Sequence, residues 1–187
     1  MKITKTDIPD ILIINPEVFK DTRGYFLESF NMERFSEYNI ETCFVQDNIS
    51  KSSKGTIRGL HYQVGEKAQG KLCQVITGNI LDVALDIRFG SPTFGKYFAM
   101  ELSEKNHTQI WIPPGFAHGF SVLSDDAIFL YKCTGVYGRE YERTILYSDP
   151  ELKIDWKVEN PIVSEKDLKG KTLREIEHDF IYSEIQK

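Results

Sequence analysis

RGLHYQ, residues 58 to 63, places a fixed cation, Arg58, and a flexible Gly59 ahead of His61, the one common side chain that gives or takes a proton near neutrality. A second histidine, His118, follows a Pro-x-Gly turn in PPGFAHGF, residues 113 to 120. Histidines in such settings move protons, ligate a metal, or sit satisfied at a polar strand end. Arg58 adds the means to meet an anion, because a guanidinium offers a planar fork of donors to phosphate oxygens.

Short strands must position these residues. ILIINPEVF, GYFLESF, KLCQVITG, NILDVALDIR, YFAMELS, QIWIPP, GFSVLS and AIFLYKCTG are rich in Val, Ile, Leu, Phe and Tyr, and Gly, Pro, Asn, Asp and Ser punctuate them. In NILDVALDIR the apolar set Leu81, Val83, Leu85 and Ile87 alternates with a second face containing Asp82 and Asp86. Thr77-Gly78-Asn79 reads as a hairpin turn between two of the strands. Helical periodicity is confined to NMERFSEY, where Asn31 can cap, and to SEKDLKGKTLREI. The expected fold is all-β, a jelly-roll barrel with a few short peripheral helices.

Composition bounds the function. A chain of 187 residues fits a single domain spanning 1–187. A net charge of −5 argues against a nucleic-acid partner, which needs a basic surface, so an anionic ligand must be met by a few local cations. Cys43, Cys73 and Cys133 are odd in number and lack CxxC spacing, which suggests reduced thiols and a cytoplasmic setting, with Cys73 a small core residue. MKITKTDIPD lacks a long apolar run and no stretch of about 18 apolar residues occurs, so neither export nor a membrane partner is expected.

Gly55 separated by five residues from His61, together with PPGFAH, resembles the two motifs of the cupin superfamily, jelly-roll barrels that present side chains into a central cavity. Metal-binding cupins continue the first motif as His-x-His and then Glu. Here Gln63 stands at the second histidine and Glu66 is out of step, so a metal lacks a persuasive ligand set and direct proton chemistry is indicated. DTRGYFLESF, FVQDNIS, GTIRGLHYQ, QGKLCQV, DIRFGSPTFGK, IPPGFAHGF and LYKCTGVYGREYE then occur in the order and spacing of dTDP-4-dehydrorhamnose 3,5-epimerases. That resemblance runs from about residue 8 to SEKDLKG at 164 to 170.

The resemblance implies an isomerase acting on dTDP-4-dehydro-6-deoxy-glucose in dTDP-rhamnose biosynthesis, with no cofactor and no metal. A C4 ketone acidifies the hydrogens on C3 and C5, so a proton can leave one face and return on the other. His61 is then the base, a role that supplies about 10²- to 10⁴-fold. Asp167 in SEKD stands behind it to fix the tautomer, Tyr131 in LYKC is the proton donor on the opposite face, and Lys71 in QGKL faces the C4 oxygen. For substrate binding the resemblance implies Arg23, Arg58 and Lys166 for the diphosphate, and Tyr137 as the platform stacked on thymine. Glu28, Gln46, Asp47, Asn48, His118 and Glu142 fall in the remaining binding segments. It also implies a homodimer, with an N-terminal strand exchanged so that Arg23 and Glu28 enter the partner's site.

The chain departs from the family pattern at Val136, where a second tyrosine is usual before Tyr137, at Gly138-Arg139, and at Tyr147 in place of a tryptophan. These changes touch the pocket rim rather than the acid-base set. Epimerisation at one carbon only, ketoisomerisation, and a metal-dependent or sugar-binding cupin remain alternatives at this stage. His107 and His178 carry no motif and are expected at the surface.

Overall fold

Residues that favour a pleated surface recur between turn-forming clusters, and the chain forms fourteen strands among its described residues. The structure is a computed structural model that describes residues 1–38, 40 and 43–182. In chain order come β1 (Lys2–Lys5), β2 (Leu12–Asn15), β3 (Val18–Asp21), β4 (Gly24–Leu27), α1 (Met32–Ser36), β5 (Gln46–Ser53) and β6 (Thr56–Gln63). They are followed by β7 (Lys71–Thr77), β8 (Asn79–Asp86), β9 (Tyr97–Ser103), β10 (Gln109–Ile112), β11 (Phe116–Val122) and β12 (Asp126–Cys133). The chain then forms β13 (Glu142–Thr144), β14 (Ile162–Val163) and α2 (Glu165–Leu168).

Two six-stranded sheets carry the fold. One has the order β1-β2-β10-β7-β12-β5; the other runs β13-β6-β11-β8-β9, with β14 added in parallel to β6. Their inner faces meet in a core that takes Cys73, Val75, Ile110 and Phe129 from the first sheet and Ile80, Ala84, Phe116 and Phe120 from the second. Burying each of the larger of these side chains contributes about 1.5–3 kcal/mol. The outer face of the second sheet packs under Leu152, Trp156 and Ile176, and that of the first under Phe35 of α1 and Ile40. This is the expected cupin-like all-β architecture.

Four local expectations need correction. Thr77-Gly78-Asn79 is not a hairpin: β7 and β8 lie in different sheets, and Gly78 (φ +85°) carries the chain across, where a Cβ would collide with the Asp126 carbonyl. The segment ILIINPEVF splits at Pro16-Glu17 into β2 and β3, and GYFLESF stops being a strand at Leu27. The helix expected over SEKDLKGKTLREI is one turn, α2, plus a 3₁₀ turn at Leu173–Glu175. A bridge between Ile145 and Lys171 holds the intervening chain extended. The polar segment β5, unmarked by periodicity, pairs with β12 along its whole length. Asn31 does cap α1, accepting from the Arg34 N–H at 3.2 Å, a contact of about 1 kcal/mol.

Candidate active site

A strand turns successive side chains to opposite faces, so Arg58 and His61, three apart, should not share one. They do share one, because β6 carries an extra residue. His118 of β11 stands opposite His61, and Phe120 opposite Arg58, so three steps on β6 face two on β11. Gly59 sits in this bulge at φ +127°, and a Cβ there would lie 2.5 Å from the Gly119 Cα and 2.8 Å from the His118 carbonyl oxygen. The bulge aims Arg58, His61 and Gln63 into a cavity of about 370 Å³ between the sheets. The cross-strand register sets the two motif histidines side by side on its wall.

His61 Nε2 lies 2.6 Å from Asp167 Oδ1, and the second carboxylate oxygen accepts the Gly59 N–H at 3.3 Å. Asp167 is 2 % exposed, whereas the His61 side chain keeps 26 % of its surface open. Burial by itself raises the Asp167 carboxyl. The hydrogen bond and charge of His61, the Gly59 N–H and Lys166 outweigh it and hold the carboxyl below the ordinary carboxylate value. An ionised carboxylate accepts the proton on Nε2, which leaves Nδ1 with a free lone pair.

Across the barrel stand Lys71 on β7 and Tyr131 on β12, both lining the cavity. The Lys71 ammonium donates to the His61 carbonyl at 3.4 Å and lies 6.0 Å from the centre of the Tyr131 ring. Burial first, then Cys133 and Cys73, pushes the Tyr131 hydroxyl up to about 12, so it holds its proton at neutral pH. His118, 5 % exposed, meets Asp82 at 2.9 Å. Burial lowers its pKa, with Lys71 and His61 adding to the effect, against the pull of Asp82 in the other direction.

The mouth carries the remaining polar groups. Tyr137 is 52 % exposed; its N–H donates to Gln46 Oε1 at 2.8 Å and its hydroxyl to Glu142 Oε2 at 3.0 Å. Glu142 is also held by Lys166 at 2.7 Å, and burial raises its carboxyl less than Lys166 and Tyr137 lower it. Arg58 is steadied by Ser52, whose hydroxyl accepts from Nε at 3.0 Å. Gln46, Asn48, Arg58, His118, Tyr137 and Glu142 thus line one cavity with His61, Lys71 and Tyr131, with Asp167 behind His61 and Lys166 reaching the cavity through Glu142.

Three expected residues lie elsewhere in this chain. Asp47 points to the other face of β5 and binds Lys132 at 2.9 Å. Arg23, its side chain 88 % exposed, pairs with Asp21 on the β3–β4 hairpin, and Glu28 pairs with Arg34 at 3.1 Å. His178 is exposed, as expected, whereas His107 is half-buried against Tyr25.

Sequence reasoning missed Asp82 as the partner of His118, although alternation in β8 marked the face it occupies. It also missed Gln69, although the motif QGKLCQV begins with it, and Phe129, which lies outside the quoted motifs.

The residues do not fit a metal of the cupin kind. His61 Nε2 is spent on Asp167, the Gln63 amide is fully bonded to backbone, and Glu66 is exposed near Tyr141 and Lys67. Cys73, Asp82 and His118 bring donor atoms within 4.8 Å of one another. All three are buried in the core, however, and Asp82 occupies the His118 nitrogen.

Comparison with known proteins matches residues 5–175 to the family model described as dTDP-4-dehydrorhamnose 3,5-epimerase. The dTDP-4-dehydrorhamnose 3,5-epimerase of Shigella flexneri is 54 % identical over 171 residues, covering 91 % of this chain and 94 % of the relative. A crystal structure of the dTDP-6-deoxy-D-glucose-3,5-epimerase of Legionella pneumophila, in complex with dTDP-4-keto-L-rhamnose, superposes with a TM-score of 0.94. Its identity is 48 %, and the match covers 97 % of this chain and 98 % of that one. A 3'-monoepimerase from Streptomyces bikiniensis in complex with dTDP-quinovose has a TM-score of 0.86 at 31 % identity, covering 91 % and 87 %.

Proposed function

Since the chain belongs to the dTDP-4-dehydrorhamnose 3,5-epimerase family, we propose that it inverts C3 and C5 of dTDP-4-dehydro-6-deoxy-D-glucose, giving dTDP-4-dehydro-L-rhamnose. The observation that carries the assignment of roles is the 2.6 Å contact of His61 with buried Asp167 on a cavity whose other wall holds Lys71 and Tyr131.

His61 Nδ1 takes the proton from the carbon next to the C4 ketone, and the electron pair of that C–H bond moves onto the C4 oxygen. Lys71 faces this oxygen and stabilises the enolate as its charge grows. Tyr131 gives its hydroxyl proton to the opposite face of the same carbon, which inverts it. The imidazolium returns its proton to solvent, the phenolate regains one, and the sequence repeats at the second carbon. Asp167 acts through His61: it holds Nε2–H and offsets the positive charge the ring acquires. No step calls for a cofactor or metal.

Arg58 and Lys166 meet the diphosphate, and Tyr137 is the thymine platform, with Gln46, Asn48, His118 and Glu142 completing the pocket. Arg23 and Glu28 serve the site across a homodimer. Support for this comes from the hairpin that carries Arg23, which stands apart from both sheets and exposes Phe19 (56 %), Tyr25 (56 %) and Phe26 (69 %). We read the 187 residues as one domain working in the cytoplasm, which the free thiols of Cys43, Cys73 and Cys133 favour. No helix among the described residues is long and apolar enough to cross a membrane.

Incubation with the nucleotide sugar in D₂O tests the reading. Deuterium at both C3 and C5, abolished by His61→Ala, is the expected result. Deuterium at a single carbon would instead select a mono-epimerase, and incorporation undiminished by His61→Ala would remove His61 as the base.

A further inference from the structure

Gln63 occupies the place at which metal-binding cupins carry their second histidine, and its side chain is engaged in another way. It is 5 % exposed. Nε2 donates to the carbonyls of Lys67 at 2.9 Å and Val136 at 3.2 Å, while Oε1 accepts the Gly138 N–H at 2.7 Å. Reversing the amide would set its oxygen against two carbonyls, so the network fixes its orientation.

Val136 and Gly138 are the two neighbours of Tyr137. The segment between β12 and β13 that holds them is tied to neighbouring backbone only at its ends, where the Thr134 N–H donates to the Gly70 carbonyl at 3.0 Å and the Tyr141 carbonyl accepts the Val64 N–H at 3.0 Å, and side chains anchor the stretch between. Gln69 donates to the Gly135 carbonyl at 2.6 Å, Gln46 accepts the Tyr137 N–H, and Gln63 holds the peptides on both sides of Tyr137. The ring itself is half exposed, with Glu142 holding its hydroxyl.

We propose that Gln63 is the positioning residue of the base platform: it clamps the Val136–Gly138 backbone so that the Tyr137 ring is presented ready to stack on the nucleobase of a thymidine diphosphate. The inference rests on the reading of Tyr137 as that platform. A loop without the clamp must be ordered when ligand arrives, and the entropy of ordering it is subtracted from binding. The reacting carbons are served by His61, Lys71 and Tyr131, which Gln63 does not contact through any hydrogen bond. Its loss is therefore expected in affinity and not in turnover.

The test measures the Kd of dTDP by calorimetry, and KM and kcat with the nucleotide sugar, for Gln63→Ala, Gln63→Glu, Tyr137→Ala and the Gln63→Ala/Tyr137→Ala double variant. Gln63→Glu keeps the size of the side chain and the acceptor for Gly138, but turns an oxygen toward two carbonyls, so it reports even if the alanine variant folds poorly. Kd and KM are expected to rise about five- to twentyfold in both Gln63 variants, with kcat within about twofold of wild type. In the Tyr137→Ala background, Gln63→Ala is expected to add less than about twofold, since the two act as one unit. A kcat that falls together with thermal stability makes Gln63 merely structural and overturns the proposal, as does a full-sized Gln63 effect without Tyr137. If Tyr137→Ala weakens dTDP binding and the Gln63 variants do not, only the clamp fails. If Tyr137→Ala leaves the Kd unchanged, the platform reading falls and the clamp with it.

Discussion

Replacing Asp167 by asparagine preserves shape and removes one charge. The site presents two donors to this side chain, the His61 ring at 2.6 Å and the Gly59 N–H at 3.3 Å, and the carboxylate accepts from both. An amide has a single acceptor, so one of the two N–H groups must face an NH₂. If the amide nitrogen turns to His61, Nε2 has to accept and the ring carries its proton on Nδ1, the atom we propose takes one from carbon. If the oxygen turns to His61, the Gly59 N–H is left unpaired in a buried place. A hydrogen bond to a charged partner contributes about 1.5–3 kcal/mol, which corresponds to a fall in kcat of about 10- to 150-fold. Deuterium exchange at C3 and C5 under saturating substrate measures this directly, and the dTDP Kd should move by less than about twofold because Asp167 lies behind the base. A folded Asp167→Asn protein with kcat within about threefold of wild type would refute the reasoning. So would an equal loss in kcat and in dTDP affinity.

Tyr131→Phe removes the hydroxyl, whose pKa burial raises further above neutrality, and should lower net inversion by about 10²- to 10⁴-fold. His61 still removes protons in this variant, so exchange with D₂O should outlast epimerisation; an equal loss of both would deny Tyr131 the donor role. Gly59→Ala forces a Cβ against the Gly119 backbone in a conformation that side-chain-bearing residues avoid. It should cost about 1–3 kcal/mol, roughly 2–10 °C in Tm by calorimetry, and an unchanged Tm would show that the bulge needs no glycine. The folded-state pKa of His118 lies below its ordinary value, chiefly through burial. The unfolded chain therefore takes up the proton more readily, and the neutral ring's contribution is complete above about pH 6.5 and declines as pH falls from there toward the folded value. Tm measured from pH 8 to pH 5 should fall less steeply in His118→Gln than in wild type; parallel curves would exclude His118 as the source.

The strands that could be read in the sequence are those whose apolar residues face a core. β8 is the clearest case: Leu81, Val83 and Leu85 pack under the C-terminal segment while Ile80 and Ala84 join the inner core. β5 could not be read, because in QDNISKSS its inward positions are Gln46, Asn48, Ser50 and Ser52, which line or support a polar cavity. Such a strand exists through its pairing with β12, a tertiary fact with no local signature. Turn chemistry misled at Gly78 for a related reason: the local conformation suits a tight hairpin, but where the next strand lies is decided by which sheet has room for it. The pairing of His61 with Asp167 spans 106 positions, so motif order pointed to it where spacing could not.

The place where strand periodicity fails is also the place where the chemistry gathers. With an unbroken alternation, Arg58 and His61 would face opposite sides of β6, and the histidine and the guanidinium could not line one cavity. The extra residue at Gly59 moves both to the inner face, and its freed N–H is taken up by Asp167, the carboxylate that also orients His61. One local irregularity therefore does three things: it turns the cation inward, opens a donor for the buried acid, and brings that acid behind His61. The irregularity is tolerated because the cavity end of the barrel is not asked to supply the core. Phe129 and Phe120 close its floor, and the apolar contacts beyond them, with the clusters on the outer faces, hold the two sheets together. This separation predicts that isosteric changes at His61, Lys71 or Tyr131 alter turnover far more than stability, whereas Phe129→Ala, which empties a fully buried position between the two regions, should cost about 3–5 kcal/mol and damage both.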